Sequence, residues 1–359
     1  MFAIEMELCM VIFRRVLIPL FFLFPSLLLI GATSPAPKII TPNANPNVLD
    51  GINTYITAES LYWTANQEEL NFATASTNSI SWEKQYIISH FDPGYRVSLG
   101  IIPSTQAGID LQGRYTWFHL INGTGSVSVK ASDCSDNPTH QVCSIEANND
   151  GRLIDPDILI YETVTAANAN WNFLLSTADL VFGRAFLISP TLNLRPFMGL
   201  KATWQRQDFD INYTLIFVEL PSSDKVRSNQ YAYGIGPTSG IETNWEMGKN
   251  WSLYGRSTLS LVSTRFKTRC YDIETDDLLP SVTNYNLSQK TSESQGIFEL
   301  SLGMTWDNWF VDDTFHLGIS LGYEMQYWND NNHLYMNPED PRHGSLSIQG
   351  ITLGLRADF

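Results

Sequence analysis

The chain has 359 residues, of which 43% are hydrophobic and 12% are aromatic, and its formal net charge at pH 7 is −15. This acidic balance argues against nucleic acid as a partner, because phosphate binding needs a basic surface. The mean hydropathy of −0.11 argues against a bundle of membrane helices, since each such helix needs about 20 consecutive, mainly apolar residues.

The N-terminal segment has the pattern of a secretory signal peptide. Two arginines precede an apolar run over residues 16–30, and small residues follow it. A basic start, a short apolar stretch and a small-residue cleavage site are typical of such signals. We predict a signal peptide over residues 1–32, with a membrane anchor as the alternative. Residues 33–51 are rich in Pro and Asn and are predicted to be a flexible N-terminal segment.

From residue 52 onward, apolar and polar residues alternate with a period of two, which predicts β-strands with one apolar face. In residues 108–120 the apolar side chains alternate with polar ones that include Arg114. An arginine facing lipid at mid-bilayer would cost roughly 2 to 4 kcal/mol. We therefore expect Arg114 to face a barrel lumen and its apolar neighbours to face lipid.

Ten segments carry this alternation, and we predict them as strands. They span residues 53–65, 80–102, 108–120, 168–187, 192–206, 230–246, 251–266, 295–309, 315–329 and 344–359. Twelve strands result if residues 153–164 and 211–220 each hold one more. In 168–187, Asp179 and Arg184 fall on opposite faces, which predicts a bulge or a break there.

The connections between these segments alternate between short and long. The long ones span residues 66–79, 121–167, 207–229, 267–294 and 330–343. Membrane barrels have short periplasmic turns and long outer loops, and an even strand number leaves both termini in the periplasm. We therefore predict that residues 52–359 form an all-β, up-and-down antiparallel transmembrane β-barrel of 10 to 12 strands. It would lie in the bacterial outer membrane, with both termini periplasmic and the long loops extracellular.

The last strand carries a pattern that resembles the signal read by barrel-assembly machinery, which we expect as a partner. Apolar residues occupy every second position up to the terminal Phe359, with Thr352 and Gly354 on the other face. Ala357 stands where a larger side chain is usual. A barrel must pair its last strand with its first to leave no unsatisfied edge in lipid, so this strand should close the sheet.

Inward positions of the predicted strands carry charges of both signs. These indicate either a salt-bridged plug or a wet channel lined by opposed charges. About eight strands are filled by their own side chains and 16 to 18 leave an aqueous channel, so ten or twelve would leave a narrow pore at best. The lumen-lining candidates are Arg96, Asp110, Arg114, Arg195, Lys201, Glu242, Arg256, Glu299, Glu324 and Arg356.

Three of the four cysteines follow the predicted signal peptide. Cys134 and Cys143 lie in a polar segment and suit a loop disulfide in an oxidising compartment. Cys270 is then left as a free thiol or as one that bonds another molecule. The alternative is that all three remain reduced.

The sequence predicts no enzyme activity, no cofactor and no metal site. It contains no Gly-x-Ser-x-Gly elbow and no phosphate-cradling loop, and of the histidines only His119 and His333 fall near the predicted outer rim. Acidic residues of the long connections, such as Asp272 and Glu274, do not have the spacing of a calcium loop. We interpret them as solvated loop charge, with divalent-cation binding as the alternative.

Seven short stretches, in order along the chain, resemble the major outer membrane protein-like family of Legionella and environmental chlamydiae. They are AESLYW (58–63), FDPGYRVSLG (91–100), YTWF (115–118), LRPFMGL (194–200), YGIGP (233–237), GYEMQYW (322–328) and QGITLG (349–354). The resemblance spans roughly residues 52–359. It implies an outer-membrane barrel with porin activity. In some members of the family the barrel is disulfide-linked into an envelope network or acts as an adhesin.

These observations together predict a porin-like channel for the passive diffusion of small hydrophilic solutes, in contact with outer-membrane lipid and lipopolysaccharide. The alternative is a closed structural barrel of the cell envelope, whose surface loops serve adhesion or disulfide cross-linking, alone or as a homo-oligomer. Conductance would favour the first hypothesis, and a disulfide dimer that depends on Cys270 would favour the second.

Overall fold

The computed structural model describes most of the chain beyond the predicted N-terminal segments. The described residues are Ala44 and residues 53–78, 81–104, 109–128, 145–147, 162–217, 220–248, 250–276, 282–310, 314–337 and 340–359. No helix that could cross a membrane is found among them. The predicted signal peptide and, apart from Ala44, the predicted flexible segment lie outside the described residues.

The described residues form sixteen β-strands. These are β1 (Thr54–Gln67), β2 (Asn71–Asn78), β3 (Ser81–Tyr86), β4 (Asp92–Ser104), β5 (Ile109–Ser128), β6 (Ile145–Ala147), β7 (Glu162–Arg184), β8 (Phe186–Ser189), β9 (Leu192–Phe217), β10 (Leu220–Gly248), β11 (Trp251–Asp276), β12 (Val282–Phe310), β13 (Phe315–Trp328), β14 (Tyr335–Asn337), β15 (Asp340–Pro341) and β16 (Leu346–Asp358).

Ten of these strands form one closed antiparallel ring, which confirms the predicted fold class. The order around the ring is β1, β4, β5, β7, β9, β10, β11, β12, β13 and β16, and β16 pairs with β1. The main sheet has eleven strands, and the eleventh, β8, continues β7 along β9 after a break at Ala185. Two small sheets, β3-β2-β6 and β14-β15, lie outside the ring order.

The first and last strands close the ring as predicted. Thr54 donates a backbone hydrogen bond to Phe359 at 3.0 Å and accepts one from it at 2.9 Å. Thr352 and Gly354 lie on the inward face of β16, whereas Phe359 is exposed. Both chain ends of the barrel therefore meet at one end of the lumen, which we call the terminal end. The opposite end is called the distal end.

Exposed apolar side chains form a belt around the outside of the ring. On β13, Leu321, Tyr323 and Met325 are exposed, whereas the alternating residues Glu324 and Gln326 are only 5% and 4% exposed. Every strand of the ring carries exposed apolar residues of this kind. An apolar surface of this extent is unfavourable in water and is the surface that a membrane barrel presents to lipid.

Beyond this belt the alternation inverts. Along β9 the outward face passes from Met198 and Leu200 to Arg206 and Asp208, while the inward face becomes apolar and buries Phe209. The strands β9 to β12 thus continue past the lipid-facing belt with a polar exterior. Their interior combines apolar residues such as Phe209 with buried polar ones such as Ser228 and Thr268. The barrel therefore extends beyond the belt at its distal end.

This extension corrects two predicted loops. Residues 207–229 and 267–294 were expected as long loops, but almost all of their described residues lie in β9 to β12. Asp272 and Glu274 are therefore strand residues, and Asp272 is buried rather than solvated. The strands were recognised by apolar residues at every second, outward position. Beyond the lipid-facing belt these outward positions are polar, so the pattern is absent there.

Three smaller predictions also change. The segment 80–102 was expected as one strand, but β3 pairs with β2 in a separate sheet and only β4 joins the ring. Residues 211–217 continue β9, so they add no further strand, and residues 153–161 lie outside the described part of the chain. The break predicted within 168–187 lies at Ala185, after Arg184, rather than between Asp179 and Arg184, and Arg184 faces outward at the very end of β7.

Candidate functional site in the barrel lumen

A polar cavity of about 600 Å³ occupies the terminal half of the lumen. It reaches from Tyr55 near the terminal end to a layer at mid-barrel that includes Arg96. Nine of the ten side chains predicted to line the lumen line this cavity, namely Arg96, Asp110, Arg114, Arg195, Glu242, Arg256, Glu299, Glu324 and Arg356. The tenth, Lys201, is buried and pairs with the lining residue Glu299.

Arg96 on β4 is held by carboxylates from two other strands. Its two terminal nitrogens donate to Glu324 on β13 at 2.9 and 2.8 Å, and one of them also donates to Glu59 at 2.8 Å. Its Nε donates to Thr116 at 3.0 Å. Because β1 and β16 separate β4 from β13 in the ring, this contact spans part of the lumen. The guanidinium also lies 5.2 Å from the ring centre of Trp63.

Lys201 pairs with two acidic residues at mid-barrel, at the level of Arg96. Its Nζ donates to Glu299 at 3.1 Å and stands 2.8 Å from Asp179 Oδ1, although the latter ion pair lacks hydrogen-bond geometry. Asp179 also accepts a bond of 3.1 Å from Arg114. From the sequence, Asp179 was noted only because it falls on the face opposite to that of Arg184. Its inward position on β7, opposite Lys201 on β9, is the signal that identifies it.

A third group surrounds the ring of Phe197. Arg195 donates to both carboxylate oxygens of Asp110 and, at 2.8 Å, to Glu242, which also accepts from Arg256. The guanidinium carbons of Arg195 and Arg256 lie 5.5 and 4.6 Å from the ring centre of Phe197. Nε and Nη2 of Arg256 are buried without a hydrogen-bond partner among the described residues, and the side chain lines the cavity.

The fourth group lies at the terminal end. Arg356 donates to Asp358 at 2.7 Å, and the same carboxylate is 2.7 Å from His316 Nδ1. His316 Nε2 is 3.4 Å from Asp307. His316 and Asp307 also line the cavity, although neither was among the predicted lining residues.

The distal half of the lumen is filled. Asn331, in the segment after β13, accepts a bond of 2.8 Å from Gln230 and donates one of 3.1 Å to Gln67. Gln67 also accepts from Gln207 at 3.3 Å, and Asn331 accepts from Gln295 at 2.8 Å. Since β1 and β10 stand opposite each other in a ring of ten strands, Asn331 bridges the full width of the lumen.

Apolar side chains pack around this bridge. A single buried cluster joins inward residues of nine ring strands, and Leu334 and Met336 enter it from the segment that follows β13. Trp63, Trp171 and Trp328 in the cluster are fully buried. Residues 330–343 were predicted as an outer loop, but 331–337 lie inside the barrel because they carry the polar and apolar groups that fill it.

Inward glycines do not widen the lumen. A Cβ atom at Gly100 would collide with the ring of Tyr55, and one at Gly322 would collide with Tyr254. These glycines make room for aromatic rings of neighbouring strands.

One titratable cluster lies at the distal rim. His333 Nε2 stands 3.7 Å from Glu293 Oε2, and the ligand atoms of Glu293, Asp330 and His333 all lie within 4.8 Å of one another. His343 Nδ1 is 3.4 Å from Asp330. Burial lowers the pKa of His333, against the opposing effects of Glu293 and Asp330. From the sequence, His333 was considered only as a catalytic candidate near the outer rim, because Glu293 is remote from it in sequence.

The remaining predicted site residues are placed as follows. Cys270 is a free cysteine and is fully buried inside the distal half, so it presents no thiol to another molecule while the barrel is closed. Cys134 and Cys143 lie outside the described residues. His119 is on the outward face of β5, with its ring centre 6.0 Å from that of Trp117.

No curated protein matches the chain. Among solved structures, the outer membrane protease OmpT of Escherichia coli is similar with 11% identity and a TM-score of 0.41, covering 86% of this chain and 97% of that one. A Pseudomonas aeruginosa FadL homologue is similar with 6% identity and a TM-score of 0.25, covering 86% and 90%. At such TM-scores neither likeness bears on function.

The family comparison covers the whole barrel. The family model described as the Legionella pneumophila major outer membrane protein precursor matches residues 51–359. This range includes every strand of the closed ring and the lipid-facing belt that surrounds it. The chain is therefore an outer-membrane β-barrel that belongs to the Legionella major outer membrane protein family.

Proposed function

We propose that this protein acts as a closed structural barrel of the outer membrane rather than as an open diffusion pore. The observation that carries the proposal is the bridge from Gln230 through Asn331 to Gln67, which joins opposite walls of the lumen. The terminal end faces the periplasm in this proposal, and the polar extension of β9 to β12 faces the outside.

The energetics of opening support closure. An open passage would require residues 331–337 to leave the lumen, which exposes Leu334 and Met336 and breaks the hydrogen bonds of Asn331. Full burial of a side chain such as Leu or Met contributes about 1.5 to 3 kcal/mol, and each unmade buried hydrogen bond costs roughly 1 to 3 kcal/mol. Spontaneous opening is therefore rare.

A gated channel for small hydrophilic solutes is the second candidate. It is favoured by the cavity of about 600 Å³, whose charged lining reaches mid-barrel from the terminal end. In this case residues 331–337 act as the gate, and the lining charges determine the ion selectivity of the open state.

Planar-bilayer conductance of the refolded protein separates these functions. We expect no stable steps from the wild type and stable steps after residues 331–336 are replaced by Gly and Ser. An equally long replacement of residues 131–136, in a predicted outer loop, is the matched control and should stay silent. Stable wild-type steps would contradict closure, and rare voltage-dependent steps that become permanent in the replaced variant would favour the gated channel.

We also propose contact with phosphate groups of the outer-leaflet glycolipid. Arg265, Lys267, Arg269 and Lys290 lie on the outward faces of β11 and β12, beyond the apolar belt. Lys267 stands directly opposite Lys290 in the register, and such like charges repel unless an anion lies between them. A chain of net charge −15 thus concentrates cations at the level where the lipid phosphates lie.

Thermal unfolding in liposomes tests this contact. Glycolipid from a bacterial outer leaflet should raise the melting temperature of the wild type more than that of a Lys267→Gln/Lys290→Gln variant, because each lost charge removes about 1 kcal/mol of attraction. Lys84→Gln, a substitution on β3, is the control. Equal stabilisation of all three proteins would contradict the proposal, as would an equal effect of free inorganic phosphate.

Catalysis is not part of the proposed function, and its absence stays a prediction. His119 packs on Trp117 outside the barrel, and Nε2 of His333 faces a carboxylate. Neither side chain has a hydroxyl or thiol nucleophile in hydrogen-bond contact with its ring nitrogens among the described residues.

A further inference from the structure

We propose that Glu293, Asp330 and His333 form a binding site for a divalent transition-metal ion of the zinc class at the distal rim of the lumen. The three residues come from two elements that are remote in sequence, since Glu293 is on β12 and the other two are in the turn after β13. Their ligand atoms converge within 4.8 Å of one another.

The buried Nε2 atom of His333 is placed to bind a ligand. Its side chain is 6% exposed, and Nε2 has no hydrogen-bond partner within the described part of the chain. A buried polar atom without a partner costs roughly 1 to 3 kcal/mol, so such atoms normally have a protein group, a water or an ion beside them. Nε2 faces Glu293, but the separation of 3.7 Å is too long for a hydrogen bond.

The distances match coordination better than direct pairing. Bonds of about 2.0 to 2.2 Å from zinc to nitrogen and oxygen place tetrahedral ligand atoms roughly 3.3 to 3.5 Å apart. The separation of 3.7 Å between His333 and Glu293 needs only a small contraction to reach this value. Asp330 is partly exposed at the rim and can approach by side-chain rotation.

The donor set also selects the class of ion. Imidazole nitrogen and carboxylate oxygen are both zinc ligands, and zinc sites with three protein ligands leave a fourth position for water. Calcium and magnesium prefer oxygen ligands alone. Glu293 and Asp330 are 36% and 41% exposed, so the ion can enter from the rim.

The surrounding backbone holds the site in place. Asn329 donates to Gly296 at 2.9 Å, His333 donates to Gln230 at 2.7 Å, and Thr268 donates to the carbonyl of His333 at 2.8 Å. A bound ion would therefore connect the segment that fills the lumen to the wall of the barrel. Zinc binding and conductance are separate measurements, so this inference stands whether or not the barrel conducts.

Isothermal titration of the refolded full chain with Zn²⁺ tests the site. We expect one equivalent to bind the wild type and both His333→Gln and Glu293→Gln to lose more than about tenfold in affinity, because each removes one of three ligands. His90→Gln, at an exposed histidine that is not one of the three proposed ligands, is the matched control and should bind as the wild type does. Heat-modifiable gel migration establishes that each variant is folded.

Co²⁺ provides a second readout that does not depend on the variants. Co²⁺ in a site with nitrogen and oxygen ligands should give visible d–d absorption, which Zn²⁺ should displace. Absence of this absorption, absence of zinc binding by the wild type, or unchanged affinity in Glu293→Gln would each overturn the proposal. Loss of binding in both ligand variants with retention in His90→Gln would support it.

Discussion

At the scale of single residues, the lumen charges are paired rather than free. Arg96 meets Glu324 and Glu59, and Lys201 meets Asp179 and Glu299. If one member of such a pair is removed, the other charge stays buried without a partner, which lowers the free energy of unfolding. The charged lining therefore fixes the relative positions of the strands that contribute it.

Arg96→Met tests this role. We expect the free energy of unfolding to fall by about 3 to 5 kcal/mol, because Glu324 is left buried without its partner. Lys84→Met, which breaks the exposed contact with Glu69, is the control and should cost less than about 1 kcal/mol. Urea titration followed by heat-modifiable migration measures both. Equal losses in the two variants would show that the buried pair has no special role.

At the scale of elements, the alternation of apolar residues predicted the lipid-facing part of the strands well. The segment 315–329 corresponds to β13 almost residue for residue, and 108–120 forms the first part of β5. Both contain a mainly apolar outward row, which in 108–120 is interrupted by Gly113, and an inward charge, Glu324 or Arg114. These rows are local in sequence, so no knowledge of the ring was needed to recognise them.

The remainder depended on contacts that are remote in sequence. Residues 331–337 were read as an outer loop because their polarity resembles that of one, and only the partners Gln230 and Gln67 show that they belong inside. The same holds for the ion pairs. Arg96 was identified as inward by its parity, but its pairing with Glu324 depends on the stagger of four strands around the ring.

A pair of substitutions on β11 tests where the apolar outward face of the belt gives way to the polar outward face beyond it. Leu259 lies in the apolar belt. Ser263 also faces outward, four residues further along β11 and two residues before Arg265. We expect Leu259→Arg to cost roughly 2 to 4 kcal/mol in a lipid bilayer and Ser263→Arg about 0 to 1 kcal/mol. Unfolding in liposomes measures both. Equal costs would place the membrane boundary elsewhere on the strand.

At the scale of the whole molecule, closure of the ring depends on contact between the two ends of the barrel. Thr54 and Phe359 exchange two backbone hydrogen bonds, and β1 pairs with β16 from end to end. Without this seam the sheet would present two unpaired edges to lipid, where no water can satisfy them.

Phe359→Ser separates assembly from stability. We expect fewer heat-modifiable barrels in the outer membrane of an expressing cell, because the terminal aromatic residue belongs to the pattern that assembly machinery is predicted to read. Refolding of the same variant in detergent is the control and should be unchanged, since Phe359 is exposed and contributes little packing. Equal losses in the cell and in detergent would indicate a purely structural role.

The cavity occupies only the terminal half of the lumen, so it lies closer to one side of the membrane than to the other. Its volume of about 600 Å³ corresponds to roughly 20 water molecules at bulk density. In the proposed closed state, residues 331–337 block this cavity towards the distal end, so it exchanges water, protons and ions through the terminal end. Its buried charges would therefore respond to the composition of one compartment and be insulated from changes in the other.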